Sequence, residues 1–204
     1  SRGLGDVYKI QIGEWRPGAP NTAEGRKSVA QLNDNPIRVG LLGAGTVGSQ
    51  TARLLVEQKD ELAARIGRPI ELVGVACLDP DEVDFPWIDK SLLTTDTMKV
   101  ATNADIVVEL IGGTTVARTF VMAAIESGAS VVTANKALLA KYGPEIYTAA
   151  EAKGVDIYFE AAVGGAIPFL LPLRESLAGD KVTSMLGIVN GTTNYILDEM
   201  TTKG

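Results

Sequence analysis

The chain has no histidine and a single cysteine among its 204 residues. Those two absences exclude much chemistry. Within one chain there is no His-based triad, no His metal site, no disulfide and no thiolate zinc cluster. Any proton transfer falls to Lys, Asp, Glu, Tyr or water. Basic runs are also missing: 19 Lys and Arg stand against 25 Asp and Glu, for a net charge of −6. That balance argues against nucleic acid or an anionic membrane as the main partner. No apolar stretch approaches the roughly 18 residues of a spanning helix, and the N-terminus carries no signal-peptide pattern. The expectation is a soluble, cytoplasmic protein, with 46% hydrophobic residues to build its core.

What is present begins with a glycine-rich loop after an apolar run: Ile37 to Leu42, then Gly43, Ala44, Gly45, Thr46, Val47, Gly48. This arrangement suits a pyrophosphate. Gly43 permits a tight turn out of the strand, Gly45 lets the backbone approach the phosphates, and Gly48 lets the following helix pack close. The helix N-terminus supplies free N–H groups and a partial positive charge.

From Pro36 onward, strands and helices alternate. The reading places strands at 37–42, 70–77, 105–111, 130–134, 155–160 and 182–189, and helices at 45–66, 115–127, 137–153, 167–178 and 192–200. Strands such as Asp105 to Leu110 are nearly continuous in apolar residues, which implies a parallel sheet covered on both faces, a Rossmann-type doubly wound α/β fold. Right-handed crossovers put the strand C-termini on one edge, where ligands of such sheets bind. The expected organisation is an N-terminal extension over residues 1–35, a dinucleotide-binding domain over 36–159, and the start of an incomplete α+β substrate and dimerisation domain over 160–204. The stop at Gly204, directly after a helix, reads as the end of a fragment. Cys77 closes the apolar run from Ile70 and reads as a buried structural thiol.

Further along, Asp79 follows the second strand, where an acidic residue accepts hydrogen bonds from the adenosine ribose. Asp81, Glu82 and Asp84 follow with no Lys or Arg nearby. Four carboxylates would repel a ribose 2′-phosphate, which favours NAD over NADP, although a solvated acidic turn also explains Asp81 to Asp84. Gly112 and Gly113 permit close approach of a ligand at the third strand's end, or form a plain turn with Thr115 capping the next helix. Asn135 is a good N-cap, which puts Lys136 in the first turn of a helix. A cation is poorly placed there; its pKa should fall, or an anionic ligand should hold it. Glu160 and the carbonyls freed by the Gly164–Gly165 bend would suit a hard cation, or the bend is structural. Asn190 to Tyr195 reads as a polar turn and a capped helix start.

With GAGTVG, VVTANK, EAAVGGAIP and VNGTTNYIL in order, the chain resembles homoserine dehydrogenase from about Ile37 to its end. The resemblance implies NAD(P)-dependent interconversion of homoserine and aspartate 4-semialdehyde, in threonine and methionine synthesis. It implies cofactor contacts at Thr46, Val47, Gly112 and Lys136. It implies a sodium site at Glu160 and the backbone of Val163, Gly165 and Ile167, and substrate near Gly191 and Thr192. Lys136 would assist electrostatically, while the family's catalytic lysine and aspartate belong to a segment after the helix that ends here. A homo-oligomer is expected. Members that use NADP commonly carry Lys or Arg where this chain has Glu82 and Asp84. Aspartate semialdehyde dehydrogenase is a rival that requires a reactive cysteine in its second half, and Cys77 lies too early. A non-catalytic NAD(P)-binding module and a methyltransferase leave VVTANK and VNGTTNYIL unexplained.

Overall fold

A computed structural model describes residues 35–187 and 191–203, with side chains omitted for the first four residues of the last helix. Six parallel strands form one sheet in the order β3-β2-β1-β4-β5-β6. They are β1 (Ile37–Leu42), β2 (Ile70–Ala76), β3 (Leu93–Thr94), β4 (Ile106–Glu109), β5 (Ser130–Thr133) and β6 (Ile157–Tyr158). The helices are α1 (Thr46–Glu57), α2 (Lys59–Ile66), α3 (Thr97–Thr102), α4 (Thr115–Glu126), α5 (Lys136–Lys153), α6 (Glu160–Val163) and α7 (Gly191–Lys203).

Adjacent residues of β1 feed opposite faces, as the period of two requires. Leu42 joins Val107, Val131, Val121, Ile125, Leu138 and Ile146 beneath α3, α4 and α5. Leu41 joins Leu72, Val75, Leu93 and Ala52 on the α1 side. Both faces are therefore covered, which is why the strands read as apolar runs rather than alternations. On the first face, Val100 of α3 lies over Gly40 and Gly74, where added Cβ atoms would come within 3.0 Å of it.

The strand expected at 182–189 is not observed: residues 182–187 form no strand, and 188–189 lie outside the described residues. Parallel pairing needs a neighbour, and the sheet's sixth strand is instead the two-residue β3, held by β2 at Val75 and Ala76. The single helix expected over 45–66 is two helices that break at Gln58, whose φ of −106° and ψ of 16° leave the helical region. A straight helix of that length would run about 33 Å beside a six-residue strand of about 20 Å, so the chain must turn back. The helix expected at 167–178 is reduced to a turn at Leu170–Leu171 and a π-helical turn at Pro172–Ser176.

Candidate functional site

The parallel sheet brings the C-terminal ends of β2, β1, β4 and β5 to one edge, spanning about three inter-strand spacings, roughly 14 Å. The loop after β1 is anchored on both sides. Gly43 N–H donates to the Ala76 carbonyl at 2.9 Å, and a Cβ on Gly43 would meet the Leu110 carbonyl oxygen at 2.7 Å. Gly43 has φ +109°, a region L side chains avoid. A Cβ on Gly48 would lie 2.0 Å from the Gly43 carbonyl oxygen. Gly45 differs from both: its φ is −74°, and an added Cβ meets nothing within 4 Å. The fold requires Gly43 and Gly48; it does not require Gly45.

The start of α1 is bare. Gly45 offers no side-chain cap, the first turn holds no acidic residue, and the N–H groups of Thr46, Val47 and Gly48 have no partner among the described residues. Thr46 and Val47 are exposed, Val47 by 59%. Unsatisfied N–H groups at a helix N-terminus attract anions. The residues present therefore fit a pyrophosphate.

On the β2 side of the loop, Asp79 is exposed and its Oδ1 accepts from the Asp81 N–H at 2.9 Å. Its other oxygen has no partner among the described residues. Asp81, Glu82 and Asp84 are exposed beside it. Cys77 is half-buried and its Sγ points to the Thr94 carbonyl at 3.8 Å. Desolvation raises its pKa, against a smaller lowering by that backbone contact, which works against thiolate formation.

On the other side, β4 ends in Glu109, whose carboxylate is fully buried. It accepts from the N–H groups of Ile111 at 2.9 Å and Gly112 at 3.3 Å, from Thr133 Oγ1 at 2.6 Å and from Asn135 Nδ2 at 3.5 Å. Sequence reasoning passed over Glu109, although an acid inside the apolar run Ile106–Leu110 was itself a signal. Gly112 and Gly113 follow with φ of +79° and +69°. Thr115 does not cap α4: the N-cap is Thr114, and it makes no side-chain cap bond. Asn135 does cap α5, accepting from the Leu138 N–H at 3.0 Å while its Nδ2 donates to the Gly113 carbonyl at 2.7 Å. Lys136 is thus the first residue of α5, exposed, with no ion pair among the described residues. Gly43, Gly45, Thr46, Val47, Gly48, Asp79, Gly112 and Lys136 all follow strands on this one edge.

The cation reading fares less well. The carbonyls of Val163, Gly165 and Ile167 accept no hydrogen bond among the described residues, as free ligands would. The Glu160 carboxylate, however, accepts from the N–H of Phe169, from Leu170 at 2.7 Å and from Leu171 at 3.0 Å, with its pKa held down chiefly by the Phe169 bond. Surrounded by donors, it does not fit a cation in this conformation. Gly191 and Thr192 open α7, and their side chains lie outside what the structure describes, as does Asn190.

The family description "Homoserine dehydrogenase, NAD binding domain" matches residues 43–160, and "Homoserine dehydrogenase" matches residues 168–204. The chain is similar to a homoserine dehydrogenase of Corynebacterium glutamicum, 53% identical over 173 residues, covering 82% of this chain and 38% of that protein. A homoserine dehydrogenase of Synechocystis is 47% identical over 171 residues, covering 82% and 39%. The crystal structure of a homoserine dehydrogenase from Thiobacillus denitrificans superposes with a TM-score of 0.72 at 48% identity, covering 81% of this chain and 39% of that one. The chain thus spans about two fifths of the length of the curated relatives it matches.

Proposed function

The chain belongs to the homoserine dehydrogenase family, and from that premise we propose that its sheet edge holds the dinucleotide in the interconversion of homoserine and aspartate 4-semialdehyde. The observation that carries this reading is Gly45, a glycine that the fold has no use for, standing at the bare N-terminus of α1. NAD(P) bound there supplies the hydride acceptor or donor. The chain's own residues do the rest. Thr46, Val47 and Gly48 present N–H groups to the pyrophosphate, while Gly43 and Gly48 shape the loop. Asp79 accepts from a ribose hydroxyl on the β2 side. On the β4 and β5 side, Gly112 allows the nicotinamide ribose close, and Lys136 sets a positive charge beside the reacting carbon–oxygen bond, stabilising charge that develops on the oxygen.

In this reading Gly191 and Thr192 lie towards the substrate. The chain divides into a dinucleotide-binding part over 36–159 and a substrate part from 160, and it works as a cytoplasmic homo-oligomer. A sodium ion at Glu160, Val163, Gly165 and Ile167 takes no part, because the Glu160 carboxylate is committed to backbone N–H groups. NAD is preferred over NADP, since Asp79, Asp81, Glu82 and Asp84 would repel a 2′-phosphate.

Calorimetric titration of the 204-residue chain with NAD and NADP tests both points. NAD should bind more tightly, and added salt should narrow the gap by screening the exposed acids. Tighter NADP binding at low salt would overturn the preference, and binding of neither would overturn the site.

A further inference from the structure

A buried carboxylate is costly unless its lone pairs are filled. Glu109 makes no ion pair among the described residues, yet it ends a strand whose preceding buried position, Val107, is apolar. An aliphatic residue would satisfy the core at less cost. What the carboxylate does instead is collect donors from two separate connections: Ile111 and Gly112 from the loop after β4, and Thr133 and Asn135 from the end of β5. Thr133 is itself 1% exposed, and its Oγ1 accepts from the Asn135 N–H at 3.0 Å. Asn135 closes the circuit by donating to Gly113 and capping α5 ahead of Lys136.

Through this network one side chain sets the path of Gly112 and the start of α5. Neither the α1 loop nor Asp79 hydrogen-bonds to it. The sheet order separates the two sides, with β2 on one flank of β1 and β4 then β5 on the other. Resting on the dinucleotide reading above, we propose that Glu109 is a positioning residue for the nicotinamide half of the site, holding Gly112 and Lys136 in register while leaving the adenosine and pyrophosphate half untouched.

The test compares NAD with ADP, which lacks the nicotinamide ribose, on the wild-type chain and on Glu109→Gln. Ile111, Gly112 and Asn135 all donate to Oε1 and Thr133 to Oε2. The amide keeps one acceptor for the first three but without the charge that strengthens those bonds, and its NH2 cannot accept from Thr133. NAD affinity should fall about tenfold while ADP affinity changes less than about twofold. A merely structural role would weaken both ligands alike; that result, or no change in either, overturns the proposal. Should Glu109→Gln fail to fold, amide exchange of the wild-type chain decides: the Ile111 and Gly112 N–H groups should exchange at least about tenfold more slowly than Gly113, and equal rates overturn it. Wild-type chain that binds neither nucleotide would sink the dinucleotide reading and this one with it, whereas normal wild-type binding with an insensitive variant sinks this one alone.

Discussion

Three glycines in six residues do three different things, and the difference is measurable. Gly48→Ala puts a methyl 2.0 Å from the Gly43 carbonyl oxygen; backbone cannot yield cheaply, so a loss of about 1–3 kcal/mol is expected. Gly43→Ala combines φ +109° with a clash against Leu110, and should cost a similar amount, about 1–3 kcal/mol. Gly45→Ala meets open space, so denaturant midpoints should move by no more than about 0.5 kcal/mol equivalent, yet NAD affinity should drop about tenfold as the methyl enters the pyrophosphate's place. Equal stability losses at all three positions would show that Gly45 is structural. At this scale the sequence was legible for the loop, for Asn135 as a cap and for Lys136 behind it. Glu109 was not read, because two of its four partners, Thr133 and Asn135, reach it only through β4–β5 pairing.

At the level of elements, β1 and β4 are pinned together at the edge opposite the site. Arg38 and Asp105 form an ion pair at 2.8 Å, and the Arg38 N–H also donates to the Asp105 carboxylate at 2.8 Å. The Arg38 side-chain hydrogen bond is the main cause that lowers the Asp105 pKa below its ordinary 3.8. A depressed carboxylate stabilises the fold above its unfolded pKa, and the contribution is lost as pH falls through the folded value. Both side chains are nearly half exposed, so the effect is modest. Urea midpoints of the wild type and Asp105→Asn should therefore differ above pH 3.8 and converge below it. A gap that persists unchanged to about pH 2 would contradict the assignment.

Elements with a full apolar face, namely β1, β2, β4, β5, α4 and α5, were legible from pattern. The two-residue β6 was also legible, inside the strand expected at 155–160, whereas β3, two residues that take their shape from β2, and α3, with six, were not. One local signal for α3 was present in Asp96, whose side chain accepts from the Lys99 N–H at 2.9 Å. The break at Gln58 had no such signal, since it follows from the length of the strand that α1 must cover.

At the largest scale, a six-stranded parallel sheet whose strands all end on one edge accounts for why a loop, an acidic turn, a glycine pair and a lysine, scattered from residue 43 to residue 136, converge. The account stands on the pyrophosphate lying at the start of α1. A crystal structure of the chain with NAD tests this most directly. The prediction is a pyrophosphate oxygen within hydrogen-bond distance of the N–H groups of Thr46 to Gly48, with the nicotinamide ribose beside Gly112. A dinucleotide seated elsewhere, or one running with its nicotinamide against Asp79, would contradict it.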